Sequence, residues 1–185
     1  MGRYQGQTDV PLDDAGRRQA SALAQHLSDE PIRAIYASDL QRAHETALIV
    51  AERHNCSVQA DSRLREINFG RWEGRTHQEI ENQEPQALAA WHDDPMNASP
   101  PGGETLAQVA ERVAPVLEEL SYRHSGQTAL VAGHGAALRL LLCLTLDLEP
   151  GVYWRFRLNL GSLSQLDVAD QASVLSFLND VHFLS

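Results

Sequence analysis

The sequence predicts an α/β fold, a three-layer α/β/α sandwich built on a mostly parallel central sheet. Short β-rich runs alternate with longer stretches of helical periodicity. Twice a β-rich run turns directly into a helix with an apolar side, once after Ile32-Arg33-Ala34-Ile35-Tyr36 and once after Thr128–Ala132. Parallel strands require such crossovers, and the crossover helices then cover both faces of the sheet. With 185 residues, 43% of them hydrophobic, the chain can bury one substantial core, so residues 1–185 are expected to form a single domain.

Taken in order, the elements read as follows. After a loop over residues 2–12, Asp13 is placed to cap a helix in which Ala20, Leu23, Ala24 and Leu27 recur at helical spacing. The strand from Ile32 to Tyr36 leads to Ser38, expected as the cap of a helix with Leu40, Ala43, Ala47 and Val50 on one side. Residues 61–74 read as irregular. One polar helix is predicted over 77–92, before a loop over 93–103, rich in Pro, Gly, Asn and Ser, that resembles a lid more than a linker. From 104 to 120 an apolar stripe of Leu106, Val109, Ala110, Val113, Leu117 and Leu120 marks a helix that Pro115 should kink. Thr128–Ala132 reads as a buried strand and residues 136–146 as an apolar helix. The tail, residues 162–168 and 173–178, is predicted as a hairpin turning at Ala169-Asp170.

Composition excludes several classes. A net charge of −10 and a pI near 5.2 argue against nucleic acid or an anionic membrane as partner. No apolar run is long enough to span a bilayer, and residues 1–8 are polar, so a soluble, cytoplasmic protein is expected. Cys56 and Cys143 stand alone, which indicates neither a disulfide framework nor a zinc site. All 15 basic residues are arginine. Without lysine there is no Schiff base, no pyridoxal phosphate anchor, no Ser-Lys dyad and no Walker-type phosphate loop.

In open α/β sheets ligands collect beyond the carboxyl ends of the strands, which directs attention to Ser38, Arg42 and Gly133-His134-Gly135. Flanking glycines leave room at the His134 ring, and the following helix start offers free backbone N–H groups to an anion. The competing reading is a structural histidine in a tight turn. Arg42 suits bidentate phosphate binding, yet a helical arginine is commonly just solvated. Glu66 lies in an aromatic, glycine-punctuated loop that can raise a carboxyl pKa, and the alternative is a surface Glu paired with Arg65 or Arg71.

Together the segments resemble the histidine phosphatase superfamily, also called phosphoglycerate mutase-like. The resemblance rests on Gly2–Leu12 with Gly16, on Ser38-Asp39-Leu40-Gln41-Arg42-Ala43 with Glu45-Thr46-Ala47, on Leu64–Gly74, on Gly102-Gly103-Glu104-Thr105 and on Val131-Ala132-Gly133-His134-Gly135. It implies hydrolysis of a small phosphorylated metabolite through a phosphohistidine, without metal. It further implies that Arg42 clamps the phosphoryl oxygens, that His134 stabilises their charge and that Glu66 protonates the leaving group. Gln5 and Gly6 would line the substrate loop, and backbone groups near Gly135 and Ala136 would complete the phosphate pocket. The Gly-Gly-Glu-Thr helix start and the Asn179-Asp180-Val181-His182 tail look most like α-ribazole-phosphate phosphatases, while a broad-specificity or sugar-phosphate phosphatase fits the same residues. A phosphoglycerate mutase is the less favoured assignment, and a homodimer is compatible with the resemblance.

One departure stands out. Family members open with a strand ending in Arg-His-Gly, whose histidine is the nucleophile, and no such motif occurs here. A strand and its turn, about 15 residues, are therefore expected upstream of Met1. Without them the chain is expected to be inactive. The alternatives are a pseudoenzyme that binds phosphate with Arg42, Glu66 and His134, and a fragment that does not fold.

Overall fold

The computed structural model describes residues 2–169 and 172–184. Helix α1 (Asp14–His26) opens with Asp13 accepting from Gly16 N at 2.7 Å, as its sequence predicts. It leads into strand β1 (Ile32–Ala37) and helix α2 (Gln41–Ala51). Ser38 does not cap α2. The cap position is Leu40, Ser38 Oγ accepts from Leu40 N, and the Gln41 N–H is instead satisfied at 2.7 Å by Asp9 from the preceding loop. Arg42 is the second residue of this helix.

Strand β2 (Val58–Ala60) has only three residues, too few for an alternating pattern to be read from sequence. Residues 61–74 are irregular apart from single 3-10 turns at Ser62–Leu64 and Gly70–Trp72. The helix predicted over 77–92 is two, α3 (His77–Gln83) and α4 (Pro85–Asp93). Pro85 cannot continue α3 and suits the first turn of a new helix. Helix α5 (Leu106–Arg123) starts with a reciprocal Thr105/Gln108 capping box and runs through Pro115. Strand β3 (Thr128–Ala132), helix α6 (Gly135–Thr145) and the antiparallel pair β4 (Leu163–Asp167) and β5 (Val174–Asp180) complete the chain. The hairpin is as predicted, although Asp170 of its turn lies outside the described residues.

The central sheet is parallel in the order β2-β1-β3, with Ile35 opposite both Val58 and Leu130. Side chains alternate across β1. Ala34 and Tyr36 face α5 and α6 in a cluster with Val109, Val113, Val116, Ala137 and Leu140. Ile35 and Ala37 face α1 and α2 in a cluster with Leu23, Leu27, Ala47 and Val50. Ile32 joins that second cluster against the two-residue period because the β1–β3 register shifts between Ile32 and Ala34. Helices thus cover both faces of the sheet, the three layers that the sequence predicts. Each fully buried aliphatic side chain contributes about 1.5–3 kcal/mol. A third, smaller cluster of Trp72, Ile80 and Leu88, flanked by Tyr4, Phe69 and Trp91, fixes α3 and α4 over the irregular segment.

Strand β3 is half-buried, where a buried strand is predicted. Among the described residues it pairs on one side only, and β4 and β5 form a separate sheet. No described helix is long and apolar enough to cross a membrane.

Candidate active site

The connections β1-α2-β2 and α5-β3 run over opposite faces of the sheet, so the chain reverses its winding direction between β1 and β3. In open α/β sheets ligands bind beyond the strand ends at such a point. Ser38 N donates to Ala132 O at 3.0 Å, which joins the two strand ends. Arg42, Glu66 and His134 come together there, Arg42 close enough to act electrostatically on both of the others.

Arg42 projects from the start of α2. Its Nη1 donates to Thr8 O at 2.9 Å and its Nη2 to Gly6 O at 2.7 Å, so the guanidinium is held flat against the loop 5–8. That loop is itself clamped. The Glu73 carboxylate accepts from Gln7 N at 2.8 Å and Thr8 N at 2.7 Å, and also from the Thr8 hydroxyl. Gly6 has φ +55, and any side chain there would collide with Glu73. Gln5 enters through its backbone, accepting from Thr8 N at 3.2 Å.

Glu66 is the buried acid. Its Oε1 accepts from Ile67 N at 2.9 Å and from Ala136 N, in the first turn of α6, at 3.0 Å. Burial raises its pKa, against the lowering effects of those two N–H donors and of the Arg42 and Arg112 charges. The surface-pair alternative does not hold: Arg65 forks onto Asp39 at 2.7 and 2.6 Å, and Arg71 pairs with Glu84 at 3.3 Å.

His134 occupies the cap position of α6 with 8% exposure. Its pKa is pushed down to about 3, first by burial and then by the cations Arg42 and Arg112, so the ring is neutral at pH 7. Nε2 is buried and has no hydrogen-bond partner among the described residues. A Cβ at Gly135 would make ordinary contacts with Glu66 Oε2 at 3.4 Å and Arg139 Nη1 at 3.6 Å, so the glycine is not required there by lack of space. The Ala136 N–H, expected to face phosphate, is engaged by Glu66.

Two residues were not singled out from sequence. Arg112, on α5, donates Nη1 to Arg63 O at 2.6 Å and Arg65 O at 2.8 Å, and Nη2 to Glu66 O at 3.0 Å. It also pairs with Glu104 at 2.9 Å, and Glu104 accepts from Asn68 N at 2.8 Å. Arg112 and Glu104 thereby hold the whole acid loop. The loop 93–103, expected as a lid, is tied to the same segment by Arg71 N to Pro101 O at 3.0 Å and Glu104 N to Asn68 O at 2.9 Å. Tyr153 stands close enough to feel both Glu66 and Arg139, and burial raises its phenol pKa.

A parallel α/β sheet thus brings an arginine, a carboxyl group whose pKa is raised and a neutral histidine together at its switch point. The chain belongs to the histidine phosphatase superfamily (branch 1), whose profile matches residues 1–181. It is 36% identical over 179 residues to phosphoserine phosphatase 1 of Hydrogenobacter thermophilus, covering 97% of this chain and 85% of that protein. Against the adenosylcobalamin/alpha-ribazole phosphatase of Salmonella typhimurium the identity is 31%, covering 96% and 88%. The solved structure of Bacillus stearothermophilus YhfR superposes with a TM-score of 0.90 at 32% identity, covering 99% of this chain and 91% of that one. The chain spans half the length of the bifunctional protein Rv2228c of Mycobacterium tuberculosis, which it also matches. The Hydrogenobacter and Salmonella relatives are both named as phosphatases.

Proposed function

We propose that this protein is a phosphomonoester hydrolase acting on a small phosphorylated metabolite through a phosphohistidine, without a metal ion. The convergence of Arg42, Glu66 and His134 at the switch point carries the reading. A histidine nitrogen attacks phosphorus while the bond to the leaving alkoxide breaks. Glu66, whose pKa burial raises, donates a proton to that alkoxide. Water then attacks the N–P bond, Glu66 takes the water proton, and inorganic phosphate leaves with the nucleophile restored. Arg42 exchanges the Gly6 and Thr8 carbonyls for phosphoryl oxygens, and His134 turns its unpartnered Nε2 to the same group. An arriving phosphate dianion supplies the counter-charge that favours the imidazolium form of His134.

The nucleophile, in this reading, belongs to a strand upstream of Met1 that pairs with β3. The one-sided pairing of β3 and the separate β4–β5 sheet favour it, because buried backbone groups left unpaired cost about 1–3 kcal/mol each. α-Ribazole 5'-phosphate is the first substrate to test and phosphoserine the second. The aromatic cluster of Tyr4, Phe69 and Trp91 beside the acid loop suits a ring-bearing leaving group.

The test is hydrolysis of p-nitrophenyl phosphate, with no metal added, by this chain and by a version extended upstream with a strand and an Arg-His-Gly turn. Activity confined to the extended chain is expected. Activity in the short chain would overturn the upstream nucleophile and make His134 the first residue to replace. An extended chain that binds phosphate without turnover would favour a binding protein. In the active form, Glu66→Gln should slow alkyl phosphates about 10²–10⁴-fold and p-nitrophenyl phosphate far less, because p-nitrophenolate leaves without a proton. Equal losses on both would remove Glu66 as the proton donor.

A further inference from the structure

The end of α1 and the chain's tail bring together a second set of polar side chains. His26 is the last residue of α1, Asp180 ends β5, and His182 opens the 3-10 turn His182–Leu184. One ligand atom from each lies within 4.8 Å of the others. Both carboxylate oxygens of Asp180 stand 2.7 Å from His182 Nδ1, and Oδ1 also accepts from His182 N at 3.0 Å.

The approach to these residues is fixed by the backbone. Asn179 adopts φ 59, a left-handed conformation, and is held by Asn159 N donating to its Oδ1 at 2.6 Å and by its own N–H donating to Ser164 Oγ at 3.0 Å. From the other side Phe183 stacks on the His26 ring at 4.7 Å with an interplanar angle of 10°. The His26 and His182 rings meet edge to face at 5.0 Å. Two imidazoles and one carboxylate therefore converge from opposite ends of the sequence, with both rings oriented by packing and both histidines exposed to solvent.

We propose that His26, Asp180 and His182 form a surface site for a borderline divalent cation such as Zn(II), which fastens the tail to α1. Nitrogen-rich donor sets of this kind suit zinc, nickel or copper, whereas magnesium and calcium take oxygen ligands. Zinc ligand bonds of about 2.0–2.1 Å place tetrahedral ligand atoms roughly 3.3 Å apart. The observed spread closes by rotation of the two exposed side chains, and the fourth position falls to water. The site stands apart from the chemistry. At about 1.5 Å per residue, His26 lies roughly 14 Å along α1 from Arg17, whose Nε donates to Glu45 of α2 at 2.7 Å. Its role is structural, and the metal-free reading of the reaction is unaffected.

The experiment titrates ZnCl2 into chelator-stripped protein by calorimetry and follows thermal unfolding with and without the ion. One equivalent of Zn(II) should bind and raise the melting temperature, while Mg(II) should do neither. His26→Ala should weaken binding at least tenfold and abolish the shift, and His182→Ala should do the same. His77→Ala, which removes another surface imidazole, should leave both intact. Alanine at the exposed end of α1 preserves the helix, so His26→Ala reads out even if His182→Ala unfolds the tail. Absence of saturable binding at one equivalent, unchanged binding in His26→Ala, or an equal response to Mg(II) would overturn the site.

Discussion

The acid loop and strand β3 flank the same site and are held in opposite ways. Residues 61–74 have almost no regular secondary structure, yet Arg112, Glu104 and Glu73 hydrogen-bond to their backbone. Leu64, Ile67 and Trp72 are fully buried beneath them. Strand β3 is regular but pairs on one side and stays half-buried. Regularity and rigidity are separate properties: the acid loop is irregular but clamped by side chains, while β3 is regular with one strand neighbour among the described residues.

The sharpest way to break this contrast is to remove the clamp. Arg112→Ala leaves the carbonyls of Arg63, Arg65 and Glu66 without their shared donor, while the Glu104 carboxylate keeps only the Asn68 N–H and the Gln7 amide. The pair is half-buried, and leaving such hydrogen-bonding groups unsatisfied costs about 1–3 kcal/mol. Denaturant unfolding should register a loss of that order. A loss below about 1 kcal/mol would mean that the acid loop is held by its apolar contacts alone.

A second effect separates the two catalytic candidates by pH. His134, with its folded pKa pushed down to about 3, stays neutral while an unfolded chain takes up a proton below about 6.5. The native state therefore loses stability as pH falls through that window. Glu66 acts in the reverse sense, because its raised folded pKa makes the native state take up a proton before the unfolded chain does. His134→Asn should flatten the acid side of the stability curve. Relative to the parent it should recover about 2–3 kcal/mol between pH 6.5 and 4.5. Parallel curves for the two proteins would mean that the His134 ring is solvated.

The legibility of the two regions differs for physical reasons. Arg42, Glu66 and His134 were readable because strand ends and glycine-punctuated turns are where an α/β sheet leaves side chains free to act. Arg112 was not. It sits at a polar position of α5, where a solvated arginine looks identical, and its partners lie 46 to 49 residues earlier in the chain. The division of helix 77–92 was signalled by Pro85, whereas the cap supplied to α2 by Asp9 crosses 32 residues and has no local signature. Thr128–Ala132 reads as a buried strand because its composition is apolar, but whether it is buried depends on what stands beside it.

That last point can be measured at Val131. In this chain the side chain packs on the α5–α6 cluster while the strand's outer edge has no strand partner among the described residues, so Val131→Ala should cost about 1 kcal/mol. In the version extended upstream, a strand paired with β3 would cover the edge and complete the burial. The same substitution should then cost about 2 kcal/mol, since the deleted methyl groups leave a void that cannot relax toward solvent. The difference between the two costs reports the pairing itself, independently of turnover. Identical costs in both chains would place the added segment somewhere other than beside β3, and would separate a failure of that placement from a failure of the proposed chemistry.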